Sequence, residues 1–162
     1  MIKMKFPERV YTKEEVQQAR KAIESGHVHR LKINGSKEFK QKVREALKHI
    51  KTTKQYKFLR TYIREIKEID GLTQLREAEA AIWANKYAVK DPIDAASLFI
   101  QKAHQMKNYI EGKLYYGGEA EHSTTQKRIE FLEKLKNKTR KKEVKKRCEE
   151  ILKAWEESIY IL

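Results

Sequence analysis

The chain has 162 residues, with 37 Lys and Arg against 23 Asp and Glu for a formal charge of +14, and hydrophobic residues make up 40% of it. That length fits one domain able to bury a core without staples, and two prolines and six glycines exclude collagen-like or long low-complexity architecture. No apolar run reaches the ~20 residues of a membrane span, and the opening MIKMKFPERVYTKEE lacks the apolar stretch of a signal peptide.

Cys148 is the single cysteine, which excludes an internal disulfide and fits a reducing, cytoplasmic compartment. The cationic excess attracts polyanions, nucleic acid among them, with a strength that falls as salt rises. A lysine-rich coat that serves solubility or heat resistance is the competing account of the same charge.

In chain order, Thr12 followed by Glu15 has the spacing of a capping box and opens a helix over KEEVQQARKAIES that Gly26 stops. HVHRLKI predicts a short strand with Leu31 and Ile33 on one face. Asn34-Gly35 then reads as a turn, and Ser36 caps a helix over KEFKQKVREALKHIK with Phe39, Val43, Ala46, Leu47 and Ile50 as its buried stripe. QYKFLRTYIREIKEIDG leans to helix, spacing Phe58, Leu59, Tyr62, Ile63, Ile66 and Ile69 as a helix does, with a strand open over the aromatic and β-branched YIREIKEI. LREAEAAIWANKYAV leans to helix on its alanines, with a strand again open.

Asp91-Pro92 starts a helix that runs to Gly112 and presents Phe99, Ala103, Met106 and Ile110 on one face. TTQKRIEFLEKLKNK predicts a helix with Ile129, Leu132 and Leu135 inward. KEVKKRCEEILKAWEESIYIL predicts a last one, striped by Val144, Cys148, Ile151, Leu152, Trp155 and Ile159. Cys148 on that stripe reads as core rather than nucleophile. The closing IYIL docks onto the domain itself, with a homodimer seam through the C-terminal helix as the second reading. The whole predicts a single α+β domain over residues 1–162, mainly α-helical, with a small sheet packed against helices.

The strongest local charge feature is KNKTRKKEVKKR, in which eight of twelve residues are cations against one Glu. Lys136, Lys138, Arg140, Lys141, Lys142, Lys145, Lys146 and Arg147 straddle the join of the last two helices, where they can contact phosphates without reading sequence. A solvated corner, with cations that stabilise the carboxyl end of a helix, is the plainer account. No aromatic residue lies within the stretch to stack on a base. No Walker loop, GxGxxG, GxSxG or HExxH occurs, so neither a cofactor nor a metal is expected.

His27 and His29 alternate as two imidazoles on one strand face would, an arrangement commoner at sheet edges than at metals. Arg20 with His27, and Arg44 with His49, are similar in spacing to the Arg-x4-6-His element of helical HEPN ribonucleases. Such matches arise by chance among five histidines.

Within DPIDAASLFIQKAHQM the apolar frame carries Gln101, Lys102, His104 and Gln105, and YKFLRTYIREIKEIDG precedes it while YYGGEAEH and QKRIEFLEKL follow. This order resembles small zincin-like metallopeptidase domains over residues 28–135, leaving 136–162 as the basic corner and C-terminal helix. The resemblance implies that the two zinc-binding histidine positions fall on Gln101 and Gln105, and the catalytic glutamate position on Lys102. His104 stands nearby, and Glu119 and Glu121 fall in the downstream stretch that would supply a further arm. Amides are weak ligands for zinc, and an ammonium cannot act as the general base of such a site. The resemblance therefore implies a degenerate site.

The resulting expectation is a non-enzymatic basic protein that contacts an anionic partner, DNA or RNA first. The alternatives are a diverged metal-dependent hydrolase or metal-free RNase, and a structural or regulatory protein that binds another protein through the vacated cleft.

Overall fold

The computed structural model describes residues 4–161, with side chains through Ser158. The first helix, α1 (Lys13–Glu24), begins at Thr12, whose hydroxyl accepts from the Glu15 N–H while the Glu15 carboxylate accepts from the Thr12 N–H. Gly26, at a φ of 97°, ends it by donating to Ile23 O, and the next residue, His27, donates to Ala22 O. These are the two hydrogen bonds of a Schellman motif, which needs a residue free to adopt the left-handed conformation.

The next elements are β1 (Lys32–Asn34), α2 (Lys37–Thr52) and α3 (Tyr56–Tyr62). Ser36 caps α2 as expected, accepting from the Phe39 N–H, and Glu68 Oε1 accepts from the Ser36 N–H at 2.8 Å. Gly35 permits this approach, because a Cβ there would lie 2.8 Å from both Glu68 Cβ and Phe39 Cδ1. The predicted stripe of α2 is buried throughout.

Beyond Tyr62 the helical reading fails. Ile63 is already extended, and Glu65–Glu68 form β2. The alanine-rich stretch becomes β3 (Gln74–Arg76), a 3-10 turn over Glu77–Glu79 and β4 (Ala81–Ala84). Pairing decides the matter, since local propensity cannot register a partner strand distant in sequence. The predicted strand near residue 30 is shorter than expected, with Leu31 outside it.

The sheet runs in the order β1-β2-β4-β3, parallel between β1, β2 and β4 and antiparallel between β4 and β3. Ile33, Ile66, Ile82 and Leu75 pair across it in one row, so they share a face, and that face joins the core.

The central helix is α4 (Pro92–Ile110), whose Asp91 cap accepts from the Ile93 and Asp94 N–H groups. It packs against α1, α2, α3, α5 (Gly118–Lys138) and α6 (Lys142–Ile161). The fifth helix starts six residues earlier than TTQKRIEF suggests, in GEAEHS. On α6, Val144, Cys148 and Ile151 are buried as expected and Trp155 is half-buried, while Ile159 and the IYIL contact lie outside the described side chains. Core residues run from Phe6 to Ile151 in one cluster, so segments on both sides of 28–135 share its interior. The fold is α+β and mainly helical, and among the described residues no helix is long and apolar enough to cross a membrane.

Candidate functional sites: a cleft beside the central helix and a basic corner

Gln101, Lys102 and Gln105 lie along the side of α4 that faces α5 and β3. Lys102 and Gln105 line a cleft of about 430 Å³ with Gln74 and Glu77 from the β3 segment, Tyr115 from the α4–α5 loop and Glu121 from α5. Gln101 sits beneath it, 8% exposed, and its amide nitrogen donates to Thr124 Oγ1 at 3.3 Å. The Thr124 hydroxyl in turn lies 3.0 Å from Ala120 O, closing a link from α4 to α5.

The other two residues of this group lie apart. His104 packs on Phe58, ring centroids 4.5 Å apart, and burial together with Lys127 and Lys107 depresses its pKa to about 4. Glu119 is exposed on the first turn of α5. Burial, then Arg128, lowers the Lys102 pKa, with Glu121 opposing.

This arrangement is poorly suited to zinc. Gln101 donates its amide nitrogen to Thr124 and could offer only a neutral carboxamide oxygen, and the ammonium of Lys102 would repel a dication. Among the described residues, no group of three or more His, Cys, Asp or Glu could hold a metal ion. The Cys148 thiol is fully buried and pushed up to about 11 by burial first, so it stays protonated and unreactive. His27 and His29 lie ring against ring, with His27 Nε2 and His29 Nδ1 3.1 Å apart, and Phe6 stacks on His27. They precede β1 rather than form a strand face.

Gln101 therefore serves as a structural hydrogen-bonding group. Gln101→Leu is expected to change stability by less than about 1.5 kcal/mol in urea unfolding, because Thr124 keeps its carbonyl acceptors and leucine gains apolar burial. A loss several times larger would mean that the amide supports more than this one link.

The basic corner is formed by the end of α5, Thr139 to Lys141, and the first turns of α6. Lys136 pairs with Glu149 at 3.6 Å, and Arg147 bridges Asp91 at 2.6 Å and Glu150 at 2.9 Å. Those two cations tie helices together. Lys138, Arg140, Lys141, Lys142, Lys145 and Lys146 are exposed and, among the described residues, form no ion pair.

Sequence reading did not assign the neighbours that the fold brings to this corner. Lys48, His49 and Thr52, at the end of α2, share a recess of about 290 Å³ with Thr139 and Lys141. Burial, then Lys141, lowers the His49 pKa, so the imidazole is neutral there at pH 7. The i, i+3/i+4 repeat on α2 marks the apolar stripe but does not say which end of the exposed face another helix pair will meet.

Comparison of the chain with protein-family models, with curated proteins and with solved structures returned no match.

Proposed function

We propose that this protein is a non-enzymatic, basic nucleic-acid-binding protein whose α5–α6 corner contacts backbone phosphates. The observation that carries this reading is the division of cations within Lys136–Arg147. Two are engaged in ion pairs, and six are exposed with no carboxylate partner among the described residues. Unpaired cations gathered at one corner, with Lys48 beside them, lower the free energy of a polyanion nearby by releasing its counterions. Contacts of this kind fix position and not sequence, so DNA and RNA of many sequences should bind. On this reading the cleft beside α4 is the remnant of a zincin-like site, with Lys102 standing where a base would be needed.

Fluorescence anisotropy of a labelled oligonucleotide across a salt series tests the proposal. The double variant Lys141→Glu, Lys145→Glu should bind more weakly and should flatten the plot of log affinity against log salt by about 2, one for each lost phosphate contact. Wild-type affinity at low salt in that variant would remove the corner from the interface.

The cleft favours a second reading. β3 forms one border of the sheet, and Glu77, Lys102 and Glu121 beside it present both charges to a protein segment. That occupant would be displaced by Lys102→Glu and not by the corner variant.

A further inference from the structure

The sheet has two faces, and only one is accounted for by the core. The strand register that gathers Ile33, Ile66, Ile82 and Leu75 inward places two further rows on the opposite side. One row is Lys32, Glu65, Ala81 and Arg76, and the other is Asn34, Lys67, Trp83 and Gln74. Ala81 and Trp83 are the apolar members of these rows, and neither belongs to the core cluster that takes in their strand neighbours. On this side Lys32, Asn34 and Arg76 are exposed and Glu65, Lys67, Gln74 and Trp83 are half-buried, while Ala81 is buried among them.

Trp83 sits within this face on a central strand. The Arg76 guanidinium lies 4.3 Å from its ring centroid, and the Lys67 ammonium lies 5.3 Å away. Its indole Nε1–H is buried and meets no acceptor among the described residues, a costly condition for a group that ordinarily finds a partner. Lys32, Lys67 and Arg76 form no ion pair among the described residues, although Glu65 stands opposite Lys32 in the register. Arg76 donates instead to Gln74 Oε1 at 3.4 Å. An aromatic ring amid unpaired cations, with amides from Asn34 and Gln74 in its row, matches the demands of a nucleobase joined to a phosphate chain. The ring stacks on a base, the cations meet the phosphates, and the amides reach base edges.

We propose that this charged sheet face is a platform for single-stranded nucleic acid, in which a base takes the place of the Arg76 guanidinium on the Trp83 ring and the displaced Arg76, with Lys32 and Lys67, holds the phosphates. The proposal rests on the nucleic-acid reading above and narrows it to strands whose bases are unpaired. Four strands span roughly 14 Å between outer backbones, a width that accommodates about two or three nucleotides. A duplex keeps its bases stacked inside and cannot present one to the ring, so it engages the basic corner alone.

The test compares a labelled oligo-dT with a blunt duplex of equal length by anisotropy, and reads indole fluorescence in a Trp155→Phe background so that Trp83 is the reporter. Single strands are expected to quench Trp83, and the duplex is not. Trp83→Ala should weaken single-strand binding by roughly 5- to 150-fold, the range measured for loss of one stacked base, while duplex binding is unchanged. Trp83→Phe should restore most of the difference. Should the alanine variant fail to fold, quenching in the Trp155→Phe chain decides alone. Absent quenching, or an equal loss for both nucleic acids, overturns the platform. If single strands bind without quenching and the corner double variant abolishes that binding, the platform falls and the corner stands. If neither nucleic acid binds, both readings fall together.

Discussion

Phe99→Ala should lower stability by about 3–5 kcal/mol, the largest expected effect of any single truncation considered. Phe99 is fully buried on α4, the helix against which every other helix packs. Removing its ring leaves a cavity bordered by several elements at once, so no single one can move to refill it. Domains of this size hold roughly 5–15 kcal/mol in all, and the variant would retain a fraction of that. Urea unfolding followed by far-UV circular dichroism gives the number. Phe99→Leu, which keeps most of the volume, provides a folded reference with a smaller loss. A Phe99→Ala cost below about 1 kcal/mol would contradict the packing described, because so small a loss belongs to sites that collapse freely.

Acid should be the second large perturbation. His29 is 5% exposed, and burial first, then His27, Arg64 and Arg60, lowers its pKa to about 3 from 6.5. The groups around it are the His27 imidazole, the Phe6 ring and those two guanidiniums, with no carboxylate among the causes of its shift. Its Nε2 is buried and meets no hydrogen-bond partner among the described residues. The folded state therefore holds His29 neutral where the unfolded chain takes up a proton.

Stability from this group is complete above about pH 6.5 and is lost as pH falls toward 3, because the unfolded state binds more protons throughout that window. The full span amounts to roughly 4–5 kcal/mol. His104, depressed to about 4, acts in the same direction. Urea midpoints at several pH values between 7 and 4 should fall steadily, and His29→Gln should flatten the decline. A flat profile in the native protein would mean that His29 charges without penalty.

The features legible in the sequence are those set by neighbours a few residues apart. The Thr12–Glu15 box, the Ser36 and Asp91 caps and the stop at Gly26 are all made within one helical turn, and each stands where spacing put it. The buried stripe of α2 follows from the same locality. Residues 65–84 were not readable in this way. Ile66 and Ile82 become strand residues because each finds the other across the sheet, through a partner no window of sequence contains. AIWA carries two alanines, which favour helix until burial in a sheet outweighs them.

The cleft is partly legible, since Lys102 and Gln105 stand out as polar positions in an apolar helix and Glu121 meets them there. His104 was included for its place in the pattern, but the helix turns it toward Phe58. Which face Trp83 takes is not legible locally, because it depends on register. One residue's shift in pairing would have put it in the core.

Arg64 illustrates how the molecule separates its architecture from its electrostatic surface. Its guanidinium donates to Pro7 O, Glu8 O and Glu79 O, fastening the amino-terminal strap and the 3-10 turn to the start of β2 with main-chain oxygens alone. A clasp whose hydrogen bonds all go to carbonyls leans less on the nearby carboxylates of Glu65, Glu79 and Glu8 than an ion pair would. Salt strong enough to screen the exposed lysines of the corner should therefore leave this clasp largely fastened.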